Sequence, residues 1–167
     1  MDQEQMQAWM KYANPAEHHE FLNKLAGKWH ATVTFWMQPG ADPMQSEGTA
    51  ENEMILGGRF LQCKFTGNMM GQPFHGMSID GYDNHSKKYQ GIWMDTMGTI
   101  MLVFEGTVDA DGRVRTMMTE FLDPMTNAMK KMKGVTTIED ENRHRYEGWN
   151  SGPDGNLVRA MEIVYTR

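Results

Sequence analysis

The sequence predicts an all-β domain: an antiparallel up-and-down meander of about ten strands, closed into a barrel and preceded by short N-terminal helices. Three observations carry this expectation. After Gly27 the apolar spacing changes from helical to alternating. Turn-forming residues then recur at a steady interval, and no helix-length pattern interrupts the run. The breaks fall at Pro39 to Pro43, Gly57-Gly58, Gly67 to Pro73, Asp83-Asn84, Met97-Gly98, Asp109 to Gly112, Asp123-Pro124, Glu139 to Asn142 and Ser151 to Asn156. Each is rich in residues that tolerate turn dihedrals.

Ahead of the strands, Met6, Trp9, Met10 and Ala13 share one face at helical spacing, and Asp2 with Gln5 can form a capping box. A second start signal stands at Asn14, with Pro15 in the first helical position and Glu17 three residues after the cap. Phe21, Leu22 and Leu25 form its stripe and Gly27 stops it. Residues 1–26 therefore read as a helical segment and 27–167 as the barrel, within one structural domain. With no βαβ crossover possible, successive strands should pair antiparallel, and closure would hide the sheet edges. The same alternation permits a two-sheet sandwich, although Greek-key sandwiches use longer crossing loops.

Composition narrows the function. A formal charge of -6 and a pI near 5.5 offer no concentrated basic face for nucleic acid or an anionic membrane. Lys130, Lys131 and Lys133 alternate with methionine and read as a solvated strand edge. Cys63 is the sole cysteine, which excludes an intrachain disulfide. Met1 to Gln5 carries no basic, then apolar, leader pattern, so a cytoplasmic location is the default expectation. The 18 methionines fall on mixed strand parities, which suits adaptable apolar filler better than a Cu(I) cluster.

The opening Gly27-Lys28-Trp29, with Trp29, Ala31, Val33 and Phe35 on one face, resembles the first strand of the calycins, the lipocalins and fatty-acid-binding proteins. The resemblance implies that Trp29 plugs one barrel end and that a basic residue of the last strand, here Arg167, packs over it. A wider set of motifs is similar to the family called domain of unknown function 1579. It comprises Pro15 with Glu17-His18, Leu25 to Trp29, Ile55 to Phe60, Gly81 to Asn84, Lys88-Tyr89, Trp93 to Asp95, Met97-Gly98 and Tyr165 to Arg167. That resemblance implies a calycin-like barrel and leaves activity open. Haem-binding barrels of the nitrobindin type hold iron with a histidine late in the chain, whereas the last strand here, residues 156–167, has none. No cofactor and no metal is therefore expected, with haem a minority possibility.

Candidate site residues follow from strand parity. Tyr89, Gly91, Trp93 and Asp95 share a face, placing an aromatic wall beside a carboxylate, or else Trp93 in the core and Asp95 as a turn cap. Tyr82 shares the face of Phe74, Gly76, Ser78 and Asp80, where small residues leave space. His75 and His144 are possible cavity residues, and Tyr165 shares parity with Arg167. His18 and His19 point about 100° apart on a helix and make no metal pair. His18 falls on the face of Leu22 and Leu25, His30 lies opposite Trp29, and His85 sits in a turn. Arg145 and Glu120 are further strand charges, expected at the surface.

Three functional readings stay open. The leading one is a non-catalytic protein that binds a small, largely apolar molecule in the barrel, near Tyr82, Trp93, Asp95, His75 and Tyr165. The second is an enzyme using Asp95, Glu120 or His75 as acid or base. The third is a solid barrel that forms a homodimer through Met6, Trp9 and Met10. No phosphate loop, nucleophile elbow or cysteine pair marks a standard enzyme class, which favours the non-catalytic reading.

Overall fold

A computed structural model describes residues 2–167. Two helices, α1 (Gln3–Ala13) and α2 (Glu17–Lys24), precede ten strands. The strands are β1 (Gly27–Phe35), β2 (Met44–Ile55), β3 (Phe60–Met69), β4 (Gln72–Asp83), β5 (Lys88–Asp95), β6 (Leu102–Val108), β7 (Val114–Leu122), β8 (Met129–Asp140), β9 (Arg143–Ser151) and β10 (Leu157–Thr166). Every predicted break falls at or beside one of the nine connections, because glycine, asparagine and aspartate supply the dihedrals those turns need.

Each strand pairs antiparallel with its neighbour in sequence, and β10 returns to β1 to close the barrel. At the seam Ala31 lies opposite Tyr165 and Val33 opposite Ile163. Strand alternation then fixes which side chains point inward: Trp29, Ala31 and Val33 are buried, while His30 is exposed and paired with Glu47 at 2.7 Å.

α2 plugs one end of the barrel. Phe21, Leu22 and Leu25 pack against Leu61, Tyr89, Met117 and Ile138. Full burial of each such side chain contributes roughly 1.5–3 kcal/mol, more than the helix gains from its own short ladder. A second cluster, Trp29, Ala31, Val33, Ala50, Phe65, Phe74 and Ile163, lines the wall beyond it.

The turn motifs clip the helical corner to this end. Arg59 Nε donates to Ala13 O at 2.9 Å, and Asn84 Nδ2 donates to Tyr12 O and Asn14 O at 2.9 and 2.8 Å. Tyr89 Oη donates to His18 O at 2.7 Å. Asn14 and Pro15 thus form the linker. The expected helix start at Asn14 is displaced: α2 begins at Glu17 with Ala16 as its cap, and Asn14 adopts the extended backbone favoured before proline. His19 Nδ1 accepts from the Ala16 N–H at 3.0 Å, taking the place of a capping side chain.

The histidine roles on α2 are also exchanged. His19 is buried, whereas His18 is half-exposed and stacks on Tyr82 with ring centroids 4.3 Å apart. Methionine is a poorer core filler than expected, since Met117 alone among the described methionines is fully buried and Met37, Met125 and Met129 lie open to solvent. α1 buries none of its residues, and Met6, Trp9 and Met10 are exposed.

If α2 is a structural plug, Leu22→Ala, at a side chain with 0% exposure, should lower unfolding free energy by about 3 kcal/mol in urea titration. Met10→Ala on α1 should change it by less than about 0.5 kcal/mol.

Candidate functional site

The inward wall of the barrel has aromatic rings packed against glycines. A Cβ on Gly76 would sit 2.3 Å from Trp93, so the indole occupies the place of a side chain there. Phe65 lies in the same way over Gly48 and Gly67, and Tyr146 over Gly134. The rings thus occupy stretches of wall that carry no side chain of their own. They cover glycines that would otherwise leave the sheet thin.

Several residues deep in the barrel beyond the plug combine strong burial with residual surface. Burial pushes the Cys63 thiol and the Tyr146 phenol up to about 12, and the Tyr165 phenol well above its ordinary value. All three residues nonetheless keep surface that a water molecule could touch, as do Ser78 and Trp93. A group deep among protein atoms that still presents free surface borders an internal space. A separate groove of about 790 Å³ lies outside the barrel, between Tyr12 to Asn14 and the outward residues Phe60, Ile79, Ile92 and Val103.

Charge crosses this lumen. Asp80 on β4 and Arg115 on β7, with β5 and β6 between them on the wall, meet with Oδ1 and Nη1 3.3 Å apart, and their side chains are 14% and 9% exposed. Ser78 Oγ donates to Asp80 Oδ2 at 3.0 Å. Arg115 also lies beside the rings of Phe21 and Tyr89, 5.5 and 5.8 Å from their centroids. The pair depends on a glycine between its strands, because a Cβ on Gly91 would fall 2.4 Å from Asp80 Oδ1.

At the plugged end, Trp29 Nε1 donates to Leu25 O at 2.9 Å and Arg167 lies over the indole, 4.1 Å from its centroid. Arg167 also donates to Ala26 O at 2.8 Å and, from Nη2, to Glu141 O at 2.6 Å. It thereby joins the α2–β1 corner to the β8–β9 turn. Gly27 leaves room for this contact, since a Cβ there would meet Arg167 Nη1 at 2.6 Å and its φ is +120°. His144 is sandwiched inside, stacked on Tyr165 and edge-on to Trp29 with centroids 4.4 and 4.3 Å apart. Burial, then the charges of Arg167 and Arg115, lower its pKa from 6.5 to about 4.

The other sequence candidates separate. Tyr82 packs at the plugged end against His18 and Tyr89. Trp93 lies further along, opposite Ser78 in the strand pairing. Asp95 accepts from Trp93 Nε1 at 2.7 Å and from Met97 N at 2.8 Å, so it is both a ring partner and a turn cap. His75 points outward and is exposed, because the neighbouring Phe74 takes the inward position. Glu120 is likewise outside, 3.5 Å from Lys131. Asp95, Glu120 and His75 therefore do not converge on one volume. Arg115 was missed by sequence reasoning; the one available signal was its parity with Met117, Thr119 and Phe121.

A closed ten-stranded antiparallel barrel with a helical plug and a partly polar lumen defines the class of this protein. Its chain belongs to the family described as protein of unknown function (DUF1579), whose model matches residues 14–167. α1 lies ahead of that match. No curated protein matches the chain. Among solved structures it is similar to Rv2717c from M. tuberculosis, at 16% identity and a TM-score of 0.66 over 92% of this chain and 99% of that one. It is also similar to the S-type phycobiliprotein lyase CPES from Guillardia theta, at 11% identity and a TM-score of 0.61 over 89% and 90% of the two chains. At these identities the likeness shows the fold. Among the described residues no helix is long and apolar enough to cross a membrane.

Two measurements test the site. Gly91→Ala should displace the Asp80 carboxylate and cost about 1–3 kcal/mol, while Gly98→Ala, with open space around its Cβ, should stay within about 0.5 kcal/mol. His144 binds its proton more weakly folded than unfolded, so stability should fall with decreasing pH between 6.5 and about 4. The contribution is on the order of 3 kcal/mol, and His19, also lowered by burial, adds to it in the same direction. In His144→Phe the larger part of that slope should vanish from chemical denaturation followed across this window.

Proposed function

We propose that the protein binds a small, largely apolar molecule inside the barrel without transforming it. The observation that carries this reading is the barrel interior: rings packed against glycine, and enclosed residues that retain free surface. Affinity comes from apolar burial against Phe65, Phe74, Trp93 and Tyr146, at roughly 25 cal/mol per Å² removed from water. The few inward polar groups set orientation. Of the sequence candidates, Trp93 and Tyr165 support this reading because both pack with the wall cluster, while Tyr82 packs against His18 of the plug. The fold is shared with a protein named as a lyase and by itself decides nothing about chemistry, so the reading rests on the interior.

Native mass spectrometry of the protein purified from its own host should show a bound small molecule, and a crystal structure should show it beside Trp93 and Tyr146. Repeated absence of any bound mass, together with a lumen filled by side chains, would eliminate the reading.

A further inference from the structure

Arg115 is 8% exposed, yet most of its hydrogen-bonding capacity is unspent. Its Nη1 reaches Asp80, while Nε is buried without a partner among the described residues. In a guanidinium the Nε and Nη2 hydrogens form a parallel pair along one edge, suited to a planar oxygen acceptor. With Asp80 held at Nη1, that edge is left for something else. Asn52 Oδ1 and His144 Nδ1 are likewise buried and unpartnered. Buried polar atoms are normally paired, and each orphan costs about 1–3 kcal/mol. Almost none of their surface is open to water, so a molecule that packs against one of them with a matching polar group supplies a bond that nothing else there offers.

The charges around this edge select the acceptor. Asp80 already neutralises Arg115. His144, from β9, is held neutral at pH 7, and so are the Cys63 thiol of β3 and the phenols of Tyr146 and Tyr165 on β9 and β10. Lys130 is engaged by Asp123, and Arg167 lies over Trp29 at the plugged end. A carboxylate entering the lumen would find no spare cation among the described inward residues, and an uncompensated buried charge costs several kcal/mol. An uncharged oxygen takes the same edge without that penalty.

We infer that the lumen selects an uncharged, largely apolar molecule bearing a carbonyl-type oxygen, which accepts from the Nε and Nη2 edge of Arg115. This rests on the proposal that the lumen holds a ligand. Three fluorescent probes test it: dimethylaminonaphthalene carrying a propionyl ketone, the same ring without the acyl group, and the same ring bearing a carboxylate. The ketone should bind at least about tenfold more tightly than either of the others. Arg115→Lys keeps a cation beside Asp80 but removes the planar edge. The double variant Asp80→Asn with Arg115→Met removes both charges together. Both should lose the ketone preference and still bind the unsubstituted ring, with circular dichroism melts reporting that each is folded.

Equal or tighter binding of the carboxylate, or a ketone preference that survives in both folded variants, would overturn the inference while leaving the ligand-holding lumen intact. Failure of all three probes to bind the wild-type chain would instead count against the lumen reading itself, and the inference would fall with it.

Discussion

Closing ten strands into one sheet sets a width that the rest of the molecule must accommodate. A barrel of about eight strands is just filled by its own side chains, and each added strand widens the interior. Here the surplus is divided. α2 drives Phe21, Leu22 and Leu25 into one end, and the remaining wall is lined with rings that lie along it. Both features answer the same constraint, one by filling space and the other by making the wall dry without filling it.

The glycines are what allow that second solution. Gly48, Gly67, Gly76 and Gly134 surrender their side-chain positions to Phe65, Trp93 and Tyr146. Gly91 does something different, since the group it admits is the Asp80 carboxylate on its way across to Arg115. The inner surface is therefore apolar over most of its area and polar where that ion pair spans it. The pair is costly to desolvate and must be matched closely to survive burial. Its remaining donors make it a local center of polarity in an otherwise aromatic chamber.

The strand rhythm was legible because turn chemistry is local: Gly57-Gly58, Asp83-Asn84 and Asp123-Pro124 announce their breaks whatever surrounds them. Facing was legible for β5, where Tyr89, Gly91, Trp93 and Asp95 keep one parity. It misled for His75, one residue out of phase with the inward Phe74, a slip that strand parity turns into the opposite face. The contact between Asp80 and Arg115 was not legible in any local pattern. It joins β4 to β7 across the lumen, and neither alternation nor neighbour pairing relates residues on strands that do not touch.

The α2 boundary shows how tertiary contacts override a good local signal. Asn14-Pro15 with Glu17 has the composition of a helix start, yet Asn84 and Arg59 bind the backbone carbonyls of Tyr12, Ala13 and Asn14. Those carbonyls are available because α1 ends at Ala13, leaving its last-turn carbonyls without ladder partners, and Asn14 is extended, so the clips and the linker support each other. Starting the helix at Asn14 would trade these bonds for one turn of ladder at a site where α2 is held chiefly by its apolar face. The same corner then meets Gly27 and Arg167, whose bonds to Ala26 and Glu141 tie it to the closing strand. Plug and seam are thus one mechanical unit at this end of the barrel.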